Sequence, residues 1–225
     1  MDHNHDRGYL SLFSCSPNPF YLQDSPPNIQ MNIQQIPLLT LITIAACTLV
    51  SLAEEPAPEK GFDKKLSLQG LTFHVKCPNQ GSLNKLTITP AGLEGENNAI
   101  VIEVDGSVTD AEVGDLDANG FPEIYVYVSL DGSGSYGSLV AYAANQKKSL
   151  TEIFLPDLGE DKANSKGYMG HDQFAVGEGS LLRRFPLYKL GDSNAKPTGK
   201  TRQLQYKLMA GEAGWLLKID KVIEY

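Results

Sequence analysis

From residue 66 onward the chain is cut into short apolar or alternating runs by turn residues about every ten positions, and this spacing confines it to β architecture. The strongest run is Ile124-Tyr125-Val126-Tyr127-Val128, β-branched or aromatic at every position, the composition that packs best on a pleated surface. Residues 139–144 read as its hairpin partner, across Asp131-Gly132-Ser133-Gly134-Ser135-Tyr136-Gly137. Upstream, Leu71-Thr72-Phe73-His74-Val75 alternates, Pro78-Asn79-Gln80-Gly81 turns, and Leu86-Thr87-Ile88-Thr89 is followed by a second turn at Pro90-Ala91-Gly92-Leu93. Residues 99–104, 150–155, 173–176, 181–188, 201–209 and 215–223 are further strand candidates. No window sustains helical spacing, although Asp157-Leu158-Gly159-Glu160-Asp161 could form a short helix. No internal repeat has a solenoid or propeller period. The expectation is one all-β domain over 66–225: a single antiparallel β-sandwich or flattened β-barrel, with at most a short helix.

The N-terminal part has another character. Residues 1–30 are polar and Pro-rich without periodicity, an extension outside the domain. Met31 then opens a second start, and residues 36–53 form an apolar run that is short for a membrane span. The run ends in Val50-Ser51-Leu52-Ala53, with small residues where a signal peptidase reads, just before Glu54-Glu55-Pro56. This is a secretory pattern over 31–53, lacking only a positive charge ahead of the apolar run. It implies translation from Met31, a periplasmic mature protein with no membrane span, and a flexible leader over 54–65. Ile44-Ala45-Ala46-Cys47 also fits a lipoprotein box, so a lipid anchor through Cys47 is the alternative. Cleavage after Ala53 leaves Cys77 as the sole cysteine, which excludes an internal disulfide and suits a small buried hydrophobe.

Composition narrows the partners. Hydrophobic residues at 41% and charged residues at 20% are globular proportions, sufficient for a core without disulfides. The formal net charge of −8, with no basic cluster beyond Lys64-Lys65 and Arg183-Arg184, excludes a reader of nucleic-acid phosphates. The same field would steer a basic protein partner. Monomer and homodimer are both compatible with the sequence.

Three constellations could carry function. In the first, Ser133, Gly134, Ser135, Tyr136 and Gly137 form a narrow tip: glycines admit unusual backbone angles, serines offer hydroxyls, and tyrosine is a stiff amphipathic anchor. Such a tip can enter a concave protein site. It can equally be a hairpin loop with no role. In the second, Asp115, Asp117, Asn119 and Glu123 place oxygens at positions 1, 3, 5 and 9 of a Gly-containing loop, a calcium-like pattern. An EF-hand would need Glu at position 12, where Val126 stands, so only a shorter Ca²⁺ loop or a capped Asp/Asn turn fits. The third is Gly167-Tyr168-Met169-Gly170-His171-Asp172-Gln173-Phe174, followed by Arg183-Arg184-Phe185-Pro186 and Tyr188. His171 and Asp172 are adjacent and would not face one site in a strand. With no Gly-x-Ser-x-Gly elbow and only His74 and His171 beyond residue 53, neither hydrolase nor metal-cluster chemistry is indicated, and the chain is not expected to be an enzyme. Trp215 in Gly214-Trp215-Leu216-Leu217 reads as a core residue of a terminal strand.

Taken in order, Val113-Gly114-Asp115-Leu116-Asp117, Pro122-Glu123-Ile124-Tyr125-Val126, Gly132-Ser133-Gly134-Ser135-Tyr136-Gly137-Ser138-Leu139, Gly170-His171-Asp172 and Arg184-Phe185-Pro186-Leu187-Tyr188 resemble the periplasmic inhibitors of invertebrate-type lysozyme. The likeness runs from about residue 73 to 223 and continues through 192–199 and 202–206. The resemblance implies a β-rich single domain that blocks an invertebrate-type lysozyme and protects the bacterial wall. It also implies a binding motif of a loop serine and a tyrosine three residues later, here Ser133 and Tyr136, whose hydroxyls would hydrogen-bond the lysozyme's catalytic acids.

Overall fold

A computed structural model describes residues 61–225 apart from Ala213. The expected extension, the signal segment, Cys47 and residues 54–60 of the leader lie outside the described residues. The described chain is built from strands, with one 3-10 turn at Leu158–Glu160 in place of the short helix expected there. Asp157 caps that turn by accepting the Gly159 N–H at 2.8 Å, the usual satisfaction of an orphan donor.

Four strands form an antiparallel meander: β1 (Phe62–Leu68), β2 (Leu71–Cys77), β3 (Leu83–Ala91) and β4 (Ile100–Asp105). Eight more form the second sheet: β5 (Ser107–Gly114), β6 (Glu123–Ser129), β7 (Gly137–Asn145), β8 (Ser149–Phe154), β9 (Gln173–Gly177), β10 (Ser180–Pro186), β11 (Thr201–Ala210) and β12 (Trp215–Glu224). Their spatial order is β5-β6-β7-β8-β12-β11-β10-β9. This sheet is nearly closed into a barrel. Its outer strands meet where Glu112 of β5 accepts the Val176 N–H of β9 at 2.8 Å. The all-β, barrel-like expectation therefore holds, with one non-antiparallel pair. β8 and β12 run parallel over Ile153–Trp215 and Phe154–Leu216, which the long excursion through β9, β10 and β11 permits.

β6 is the hinge of the packing. All but its last residue are buried, and its alternation divides two cores. Ile124, Val126 and Val128 join Phe73, Val75, Leu86 and Ile88 between the meander and the second sheet. Tyr125 and Tyr127 point the other way, among Leu181, Phe185, Leu204, Tyr206 and Leu217. Each such aliphatic side chain contributes roughly 1.5–3 kcal/mol on burial. A strand loaded on both faces is therefore rigid, and the loops at its two ends inherit fixed starting points. Cys77 is buried and free, and half-buried Trp215 packs on the second core while donating Nε1–H to Asn145 at 3.1 Å, both as expected.

Three local expectations need correction. β1 begins at Phe62, inside the stretch expected to be a flexible leader. Lys64 is half-buried there, and its ammonium reaches Asp110 at 2.7 Å and the Ala111 carbonyl at 2.9 Å. Pro90 and Ala91 belong to β3 rather than to a turn. The ladder between β3 and β4 stops at Ile88, so at Pro90 one side of the strand needs no donor. β5, which the sequence did not reveal, carries a bulge between Val108 and Asp110.

Candidate functional site

The tip residues form the connection between β6 and β7. Ser129 pairs with Gly137, so residues 130–136 make the loop. Leu130 N–H donates to the Tyr136 carbonyl at 2.8 Å and closes its base, and Ser135 N–H donates to the Gly132 carbonyl at 3.2 Å within it. Gly132 takes a φ of 128°, open only to glycine without strain. Gly134 serves differently: a Cβ there would lie 2.4 Å from the Tyr136 ring, so the ring occupies the space its missing side chain leaves.

The loop is pinned along one flank. The Gly134 carbonyl accepts the His171 N–H at 2.7 Å. Gly170 passes so close that a Cβ on it would stand 2.0 Å from the same oxygen. Asn194 donates its side-chain amide to the Ser133 carbonyl, while its own main-chain carbonyl accepts the Tyr188 hydroxyl at 2.8 Å. At the start of β7, Gly137 N–H donates to Asp172 at 2.7 Å. These contacts hold the main chain and leave the outer side chains alone. Ser133 is exposed, Tyr136 is 43% exposed, and neither hydroxyl hydrogen-bonds a described residue. The tyrosine ring is set edge-on to Tyr168 at 5.5 Å between centroids, and Tyr168 in turn packs on Phe185 at 4.7 Å. Beside Tyr136 a groove of about 490 Å³ is lined by Ser138, Asp157, Ser165, Tyr168 and Arg183.

Beneath the loop lies a buried charge network. Asp172 accepts Arg183 Nε–H at 2.7 Å on one oxygen, and the Tyr168 hydroxyl at 2.5 Å on the other. Arg183 also donates to the Tyr168 oxygen at 2.8 Å and lies over the Tyr168 and Phe174 rings. The Asp172 side chain is 0% exposed and that of Arg183 6%. Burial works against the Arg183 charge, but the facing Asp172 outweighs it and holds the guanidinium protonated. Burial likewise raises the Tyr168 hydroxyl well above its ordinary value, so it remains a donor to Asp172. His171 faces Asn194, at 3.3 Å, rather than Asp172. The two neighbours do point to different places, and Arg184 turns away to Gln203 at 2.5 Å. Tyr168, Asp172 and Arg183 belong to the third constellation of the sequence, but no spacing signal ties them, or Asn194, to the tip. Only the paired strands β9 and β10 bring Arg183 beneath it, with the segments that flank them carrying Tyr168 and Asn194.

The second constellation sits at the opposite end of β6. Asp115, Asp117 and Glu123 offer carboxylate oxygens within 4.8 Å of one another. Asp115 accepts Asn119 N–H at 2.9 Å, Gly120 N–H at 3.0 Å and the Gln69 side chain at 2.6 Å. Asp117 accepts the Asn119 side-chain amide at 2.8 Å, and the Asn119 oxygen accepts Phe121 N–H at 2.7 Å. Glu123 is 1% exposed. Its Oε2 accepts Leu116 N–H at 2.9 Å and the Tyr125 hydroxyl at 3.2 Å, whereas its Oε1 has no partner among the described residues. Burial, with the nearby Asp117 and Asp115 charges, pushes the Glu123 carboxyl up to about 7 against the Leu116 N–H. Both the calcium-like pattern and the capped turn of the sequence reading are thus present in one loop. No protein-family model matches the chain, and no curated protein or solved structure matches it.

Proposed function

We propose that the protein is a periplasmic inhibitor that blocks the active-site cleft of an invertebrate-type lysozyme with the 130–136 loop, Ser133 and Tyr136 making the contacts. The observation that carries this reading is the combination of a stapled main chain with two outward hydroxyls that hydrogen-bond no described residue. A loop whose backbone is already fixed loses little entropy on docking. The hydroxyls can donate to buried carboxylates, and such charge-assisted bonds are worth roughly 1.5–3 kcal/mol each. Edge-on packing against Tyr168 restrains the Tyr136 ring, which lowers the ordering cost of presenting its oxygen. The acidic chain would steer a basic lysozyme toward it. Export through the 31–53 signal would place the inhibitor in the compartment where a host lysozyme meets the wall. The test is inhibition of invertebrate-, chicken- and goose-type lysozymes by the purified protein. Selective inhibition of the first supports the reading, and inhibition of none overturns it.

A further inference from the structure

We infer that Asp115, Asp117, Asn119 and Glu123 form a binding site for one divalent cation of the calcium class, at the end of β6 away from the inhibitory loop. The inference stands independently of the lysozyme reading.

Clustered acids alone would not carry it, since exposed carboxylates often share a turn. The deciding feature is Glu123 Oε1. Glu123 is the first residue of β6, paired to Gly114 on one side and Ala143 on the other, and its side chain cannot swing out to water. One oxygen takes two donors. The other has none among the described residues, and its carboxylate faces Asp115 and Asp117. A buried carboxylate oxygen without a donor is costly, and no lysine or arginine forms an ion pair with any of the three acids among the described residues. A cation held between the three converging carboxylates would supply the partner that the described chain does not.

Distance and donor chemistry identify its class. Two oxygens on opposite sides of a calcium ion, each about 2.4 Å from it, stand about 4.8 Å apart. The three carboxylate oxygens all lie within 4.8 Å of one another, a cluster of the size that surrounds one such ion. The donors are oxygens only. Zinc and copper prefer imidazole or thiolate, and neither is present in the cluster. Asn119 can add its side-chain oxygen, whose second lone pair is left after Phe121 N–H. The curl that brings positions 1, 3, 5 and 9 together needs positive φ at Ala118, 56°, and at Gly120, 84°. Binding would fix the β5–β6 connection and, through Gln69 on Asp115, the turn between β1 and β2. The cation thus joins the meander to the second sheet.

The experiment uses the full chain, stripped with chelator and titrated with calcium chloride. Melting temperature and binding heat are read together on the parent and on Asp117→Asn and Glu123→Gln. The parent is expected to bind one ion per chain and to melt about 5 °C higher at ten-millimolar calcium, an ordinary gain for a site filled well above its dissociation constant. Asp117→Asn, at a half-buried turn position, should fold normally and lose most of the shift. Glu123→Gln should abolish it. A parent with neither binding heat nor a shift overturns the inference. So does a shift that survives intact in Asp117→Asn, because the ion then binds elsewhere.

Discussion

Asp172 and Arg183 form an ion pair at 2.7 Å that is almost completely covered, and the same carboxylate accepts the Gly137 N–H at the root of the exposed loop. The foundation of the proposed binding surface is therefore electrostatic and buried, whereas the loop itself is polar and open. Breaking such a pair from one side is costly because a charge is left uncompensated in a dry setting.

Asp172→Asn is expected to destabilise the protein by roughly 3–5 kcal/mol, since Arg183 would remain buried without its counter-charge. Chemical denaturation checks this. The variant should also inhibit less well at temperatures where it is still folded. A neutral amide in place of the carboxylate cannot accept from Gly137, Tyr168 and Arg183 with equal strength.

Gly170→Ala tests the close approach of the two loops. Gly170 has a φ of 91°, and its added methyl would meet the Gly134 carbonyl at 2.0 Å. Backbone against backbone leaves no flexible atom to yield, so the loop must lift away from residues 170–172. The expected cost is on the order of 1–3 kcal/mol, with a larger proportional loss of inhibition than of melting temperature. Gly191→Ala, also at a φ of 91° but with no atom within 4 Å, should show only the backbone part of this effect.

Acid should loosen the loop that carries Asn194. The N–H groups of Lys189 and Thr198 hold the Asp192 carboxyl below the ordinary aspartate value. Its stabilising contribution is therefore fully present above about pH 4, the unfolded value, and is lost as pH falls through the lower folded value. Amide exchange at Lys189 and Thr198 should show protection unchanged from about pH 7 to 5 and declining below about 4. The Asn194 hold on the Ser133 carbonyl should weaken in step.

The β6–β7 hairpin and its tip were legible because period-2 patterning and Gly/Ser turn chemistry are local signals. β1 was not, since Asp63, Lys64 and Lys65 read as a solvated leader. Only the pairing with Cys77, Lys76, Val75 and His74 turns that stretch into a strand, with Lys64 half-buried. β5 was hidden for a similar reason: Asp110 and Glu112 break the apolar pattern, and the bulge at 108–110 shifts its phase. Serine and tyrosine at the tip could be named from composition and resemblance. Tyr168, Asp172 and Arg183 could be singled out as a group, but their place beneath the tip, and that of Asn194, could not, because they are brought there from segments far along the chain. Glu123 lay in a recognisable oxygen pattern, but its unpartnered buried oxygen is a property of the fold alone.

In the proposed mode of inhibition the two outward hydroxyls, rather than the scaffold, do the blocking. The direct measurement is titration of an invertebrate-type lysozyme with the parent and with Ser133→Ala/Tyr136→Ala, alongside their melting temperatures. Two lost charge-assisted bonds predict inhibition weakened by about a hundredfold or more, with a melting temperature lowered by no more than about 5 °C through the lost Tyr136–Tyr168 packing. Full inhibition by the double variant would show that the hydroxyls do not block the cleft, and its failure to fold would show the loop to be structural.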